Sequence, residues 1–236
     1  MYRLLLPNIF TVGNLFCAFL ALQYVTDGNY VPAAWLIVLG AALDAMDGRI
    51  ARFVGRDTKF GIEFDSLVDI CTFGVVPAVM IYKSLLSSPW GLVLAFVFLL
   101  CGALRLARYN VVSHDNKKTE LFMGLPIPIA AVSLSQYVIF TEHTWETNHA
   151  ATLGSLLVIF LAFLMGSRLE YDHVPNFRSS SFSNRFRQLF FLGSVVLIIY
   201  PETSKNFFFP LAMVYLASGF YRWIAGIFSD EVTQHA

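Results

Sequence analysis

Residues 43–70 read LDAMDGRIARFVGRDTKFGIEFDSLVDI and carry six acidic and four basic side chains. They interrupt a chain of 236 residues that is 57% hydrophobic and only 14% charged, with a mean hydropathy of +0.63. That composition lies outside the range of ordinary soluble domains and is that of an integral membrane protein. Apolar runs able to cross the hydrocarbon, which takes about 20 residues each, flank the charged stretch and recur along the chain. The charges therefore fall where two spanning helices meet at a membrane surface. The fold expected from this is an all-α integral membrane protein, a polytopic bundle with a polar cavity that opens inside.

Run lengths and breaker residues place spans at about 9–26, 31–52, 60–83, 90–109, 126–141, 150–166, 189–200 and 207–228. About eight transmembrane helices result, with 1–236 forming a single membrane domain. Fourteen Lys and Arg residues fall on one side of these spans, and only Lys83 and Lys205 on the other. Positive charge marks the cytoplasmic side, so both termini are expected inside, in a bacterial cytoplasmic membrane. The loops "TDGNY" (26–30) and "TEHTWETNHA" (141–150) carry no Lys or Arg, as outside loops should. The first run follows a single basic residue and contains Asn14, which fits an uncleaved span better than a signal peptide. Cys17, Cys71 and Cys101 lie in apolar runs at no metal-ligand spacing, and an odd number closes no disulfide framework. The tract "RSSSFSN" (178–184) reads as a solvated inside linker.

Asp44 and Asp47 fall near the inside end of the second span, and Asp65 and Asp69 near the inside start of the third. At 3.6 residues per turn the two members of each pair lie about 60° and about 40° apart around their helix axes, so each pair points one way. The two helices form an antiparallel hairpin in which Asp47 pairs in depth with Asp65 and Asp44 with Asp69, the deeper pair roughly 12 Å from the loop. Four carboxylates are thus expected to converge. Ionised together beside hydrocarbon, they are opposed by desolvation and by mutual repulsion, so a cationic partner is required.

Oxygen ligands with no His or Cys nearby favour a hard divalent cation such as Mg²⁺ or Mn²⁺ over zinc, and four of them can hold two ions. Two such ions about 4 Å apart clamp a displacement at phosphorus. Gly48, Ala51 and Gly61 leave room for a ligand to approach the helix backbones, although small residues also serve ordinary helix packing in membranes. Arg52 is placed either to anchor at the interface or to hold a phosphate oxygen. Two other arrangements would also put acids in a membrane. Buried ion pairs with Arg49, Arg52 or Arg56 would not require all four acids to face one point. A proton or cation pathway, as in a transporter, would spread acids through the depth of several helices, whereas Glu142 and Glu146 belong to an outside loop.

The pattern Asp44-x2-Asp47-Gly48-x2-Ala51-Arg52-x8-Gly61-x3-Asp65-x3-Asp69 resembles, without departure, the signature of the CDP-alcohol phosphatidyltransferase family. The resemblance implies a membrane enzyme that displaces CMP from a CDP-linked lipid with an alcohol hydroxyl. It implies two divalent cations on Asp44, Asp47, Asp65 and Asp69, with Asp69 also the general base, and a cytidine diphosphate site lined by Gly48, Ala51, Arg52 and Gly61.

"LPNIFTVGN" (6–14) is similar to a stretch of the family's phosphatidylserine synthase branch in which the first helix helps enclose the nucleotide. Asn8, Thr11 and Asn14 are its polar positions here, Asn8 and Thr11 being expected at the CDP-lipid. "RLARYN" (105–110) and "GLPIP" (124–128) also resemble that branch, which more often has Phe at the position of Tyr109. These stretches define an acceptor-side region at about 105–128. Arg105 and Arg108, one turn apart, are placed to bind a carboxylate or to act as inside anchors. Asn110, Lys117 and Lys118 are weaker acceptor-side candidates, and His114 is expected to be solvated. The expected reaction is transfer from CDP-diacylglycerol to L-serine, giving phosphatidylserine and CMP. Glycerol 3-phosphate, inositol or its phosphate, and choline are the alternative acceptors. The resemblance further suggests a homodimer among membrane lipid, and no nucleic-acid partner is expected.

Overall fold

The first apolar run stops at Gly28, whose φ of +78° suits a residue without a side chain. The Gly28 N–H donates to the Val25 carbonyl at 3.2 Å and the Asn29 N–H to the Tyr24 carbonyl at 2.8 Å, the paired bonds of a Schellman cap. The computed structural model describes residues 5–54, 59–114, 124–144, 147–167 and 206–217. Within these, α1 is Leu5–Thr26, α2 Tyr30–Val54 and α3 Lys59–Asp69. A π-helical stretch, Ile70–Val75, leads from α3 into α4, Val76–Ser84. Then follow α5, Pro89–His114, α6, Ile127–Thr144, α7, Thr147–Gly166, and α8, Asn206–Ala217. Ser88 caps α5: its hydroxyl oxygen accepts from the Gly91 N–H at 3.1 Å, with Pro89 opening the helix as its fixed φ favours.

Among the described residues, five helices are long and apolar enough to cross a membrane: Ile9–Thr26, Tyr30–Arg49, Phe60–Ser84, Pro89–Val111 and His149–Gly166. They match the first four expected spans and the sixth to within a few residues. The expected span at 189–200 lies outside the described residues, as does the end of that at 207–228. The fifth differs in character. Almost every side chain from Ala130 to Thr141 on α6 is buried, and these include Ser133, Ser135, Gln136 and Thr141. The helix packs on α2, α4, α7 and the π-helical stretch. Surrounded by protein, α6 needs no continuous apolar surface, and its Ile127–Glu142 run is accordingly shorter than the others.

The outward faces of the long helices are apolar: Ile9, Val12, Phe16 and Phe19 on α1, Leu92, Phe96 and Leu100 on α5, and Leu156, Ile159 and Phe163 on α7 are all exposed. Such surfaces would drive aggregation in water and match lipid instead. Together with the hydropathy they make this a multi-pass membrane protein. α1 lies closest against α2, with Ala18, Ala21, Val25, Ala33, Ala34 and Ile37 in a common core, as expected where small side chains let membrane helices approach. At Gly40 an added Cβ would stand 2.7 Å from Asn14 Oδ1 and 2.9 Å from Thr72 Cγ2. Glycine there lets α1, α2 and the π-helical stretch meet directly beneath the acidic residues.

Candidate metal and substrate site

Asp44 comes from α2, and Asp65 and Asp69 from successive turns of α3. One carboxylate oxygen of each lies within 4.8 Å of the others. Asp69 is 8% exposed, at the point where α3 passes into the π-helical stretch. Asp47, one turn from Asp44, is 7% exposed and accepts a hydrogen bond from the hydroxyl of Thr11 on α1. Its charge also acts on Asp44, Asp65 and Asp69. The hairpin register read from the spacing therefore brings three of the carboxylates together, while the fourth stands beside them on a tether to α1.

The donor set suits hard divalent cations. Asp65 Oδ1 and Asp69 Oδ1 are buried without a hydrogen-bond partner, a costly state for carboxylate oxygens unless a cation meets them. Among the described residues no nitrogen or sulfur ligand joins the cluster, and an all-oxygen donor set is of the kind that Mg²⁺ and Mn²⁺ prefer.

Above the carboxylates the surface is open at Gly48. This glycine is exposed, and a Cβ built on it would meet nothing within 4 Å. Gly61 is half-buried on α3, one turn before Asp65. Asn8, Ala51 and Arg52 lie on α1 and α2, but their side chains fall outside the described residues, as do Lys117, Lys118 and the His114 side chain.

The two arginines that the sequence paired are separated by the structure. Arg105 is 9% exposed, its charge acts on Asp69, and its Nε has no hydrogen-bond partner. Arg108, one turn on, is exposed. Asn110 reaches back to α3, where its Nδ2 donates to Ser66 Oγ at 2.9 Å and its Oδ1 accepts from the same hydroxyl at 3.3 Å. Sequence reasoning had passed over Ser66. The available signal was its depth: 66 and 110 sum to nearly the same value as 69 and 105, as facing positions on antiparallel helices do.

Asn14 is fully buried below the cluster, and neither of its amide atoms has a hydrogen-bond partner. Its neighbour Thr72 donates to the Val68 carbonyl at 3.1 Å. The "GLPIP" stretch has a plain structural account. Gly124 adopts φ +85°, a Cβ on it would stand 2.7 Å from the Met165 carbonyl, and the Leu125 N–H donates to the Leu164 carbonyl at 3.1 Å. The segment leading into α6 is thereby pinned to the end of α7.

A profile of the CDP-alcohol phosphatidyltransferase family matches residues 4–166, which include the whole acidic hairpin and α5 to α7. The chain is 33% identical over 224 residues to a CDP-diacylglycerol–serine O-phosphatidyltransferase of Helicobacter pylori, covering 93% of this chain and 91% of that protein. It is 32% identical over 179 residues to an archaetidylserine synthase of Methanothermobacter thermautotrophicus, covering 75% of this chain and 73% of that one. With a CDP-diacylglycerol–serine O-phosphatidyltransferase of Mycobacterium tuberculosis the identity is 38% over 135 residues, 55% of this chain and 47% of that protein.

Proposed function

The chain belongs to the CDP-alcohol phosphatidyltransferase family, and on that premise we propose that it transfers a phosphatidyl group from CDP-diacylglycerol to the hydroxyl of L-serine. The products are phosphatidylserine and CMP. The observation that carries this reading is the buried Arg105 beside the Asp44, Asp65 and Asp69 cluster. It places a buried guanidinium, whose charge acts on Asp69, next to a carboxylate centre, as an amino-acid acceptor with its own carboxylate requires. The similarity to a CDP-diacylglycerol–serine O-phosphatidyltransferase and to an archaetidylserine synthase supports the same acceptor.

In this reading Asp44, Asp47, Asp65 and Asp69 hold two Mg²⁺ or Mn²⁺ ions, which when bound offset charge on the diphosphate and the departing CMP. Thr11 orients Asp47 through its hydrogen bond. Gly48 and Gly61, with Asn8, Ala51 and Arg52, line the CDP-lipid site, the acyl chains lying between helices in the bilayer. Arg105 holds the serine carboxylate, and Arg108, exposed one turn on, adds little to the grip. Asp69 takes the proton from the serine hydroxyl as its oxygen attacks the lipid-side phosphorus. The bond from that phosphorus to the CMP oxygen breaks, and CMP leaves. The cavity faces inside, eight helices cross a bacterial cytoplasmic membrane with both termini cytoplasmic, and residues 1–236 form a single domain that works as a homodimer.

The purified protein in vesicles with CDP-diacylglycerol and Mg²⁺ is offered serine, glycerol 3-phosphate, inositol and choline in parallel, and CMP release is followed. Release with serine alone is expected. Release with glycerol 3-phosphate and none with serine would overturn the acceptor, and no release with any of them would leave the carboxylates to a cation-transport role.

A further inference from the structure

Among the described residues, the C-terminal end of α5 meets α3 through the side chains of Asn110 and Ser66. α5 packs on the π-helical stretch, α4 and α7 rather than along α3. Yet the two side chains whose relation governs acceptor binding, Arg105 and Asp69, lie one on each of these helices. Nearer the start of α3 and the end of α5 stands the reciprocal pair, with Asn110 Nδ2 donating to Ser66 Oγ at 2.9 Å and the Ser66 hydroxyl facing Asn110 Oδ1 at 3.3 Å. Ser66 directly follows Asp65, and Asn110 lies about one and a half turns beyond Arg105.

We propose that Ser66 and Asn110 form a clasp that fixes the distance between α3 and α5, and that they are positioning residues for acceptor recognition. Asn110 then acts through Ser66 instead of touching the acceptor itself. Three features favour this. Both ends of the amide meet one hydroxyl, so the Asn110 side chain is turned toward α3 at its Nδ2 and its Oδ1 alike. Both residues are half-buried, where a hydrogen bond holds better than at a wet surface. And α5 is one unbroken helix from Pro89 to His114, so a constraint at Asn110 is transmitted rigidly to Arg105. Released from α3, the helix end would let the guanidinium drift from the carboxylates, and a displacement near 1 Å is enough to weaken a positioned contact severely.

The proposal rests on the reading of Arg105 as an acceptor-binding residue, and its test separates the two. Steady-state kinetics in vesicles are compared for wild type, S66A, N110A, the double variant, and the exchange S66N/N110S. The acceptor used is whichever one the wild type turns over, so a wrong acceptor shows in the wild type and a wrong clasp only in the variants. Each single variant is expected to raise the acceptor KM about tenfold, as loss of one buried hydrogen bond allows, with the CDP-lipid KM changed by less than about twofold. The double variant should be no worse than the weaker single, since one interaction cannot be lost twice, and the exchange should recover most of the loss. Additive effects of S66A and N110A would overturn the clasp and return Asn110 to the substrate. So would an S66A enzyme with wild-type acceptor KM, or a parallel rise in both KM values. If N110A proves misfolded by its melting in detergent, N110D, which keeps the shape and one of the two hydrogen bonds, takes its place with an intermediate rise expected.

Discussion

Thr11 on α1 hydrogen-bonds through its hydroxyl to the carboxylate of Asp47 on α2, a residue 36 positions away in the chain. The pair joins the first helix to the acidic hairpin where Asp47 is almost wholly buried. Thr11→Val keeps the branched shape and removes the donor, so it should destabilise the protein by about 1–3 kcal/mol. It should also lower CMP release several-fold, whereas Thr11→Ser keeps both. Denaturation in detergent together with turnover of the two variants checks this. A Thr11→Val protein as stable and active as wild type would remove Thr11 from the site.

Chelation should abolish CMP release, and added Mg²⁺ or Mn²⁺ should restore it. The same ions should stabilise the fold, by about 2.7 kcal/mol at roughly 100 times their Kd. Neutralising Asp65 or Asp69 removes a carboxylate from a crowded buried cluster. Asp65→Asn and Asp69→Asn should therefore melt no lower than wild type without metal but lose most of the metal-induced rise. Turnover of Asp69→Asn should fall by about 10² to 10⁴, the range for a lost general base. A full metal-dependent melting shift in Asp65→Asn would place the ions elsewhere.

Two glycines of α2 should answer the same substitution in opposite ways. Gly40→Ala drives a methyl against Asn14 Oδ1 and Thr72 Cγ2, both under 3 Å from the new atom. It should cost about 1–3 kcal/mol of stability, as overpacking does. Gly48→Ala meets nothing within 4 Å and should leave melting unchanged or slightly raised through helix propensity. Its KM for CDP-diacylglycerol should nevertheless rise, since the proposed lipid site uses the open space at Gly48. An unchanged KM would mean that the lipid binds away from this helix face.

Arg105 and Arg108 should also part in their effects. Arg105→Gln, at the buried position beside Asp69, should raise the serine KM by at least about tenfold through loss of a charge-assisted contact. Arg108→Gln, at an exposed position, should change it by no more than about twofold. Equal effects of the two substitutions in a serine titration would show that the carboxylate is gripped from the mouth of the cavity.

The membrane character, the places where helices stop and the acidic hairpin are all local properties of the chain. Gly28 and Pro89 mark helix ends because backbone φ is decided residue by residue. The spacing of Asp44 with Asp47, and of Asp65 with Asp69, names one face of each helix because 3.6 residues per turn leaves no choice. The facing of the two helices follows from the few residues of sequence that separate α2 from α3. That much of the site could be read in advance, and the coordinates place Asp44, Asp65 and Asp69 together as the register requires.

What the spacing could not supply was the partner of each remaining face. Thr11 to Asp47, Asn110 to Ser66 and the burial of Asn14 against Gly40 are relations between helices far apart in sequence. In water the apolar stripe of a helix reveals which side it buries, but in lipid both sides are apolar and that signal vanishes. The sequence by itself thus determined that the chain spans a membrane, where its helices end and which carboxylates share a face. Only the tertiary packing decided how the helices rotate and slide against one another. It thereby enclosed α6, carried the run after Asp69 through a π-helical stretch, and buried Arg105 while leaving Arg108 exposed.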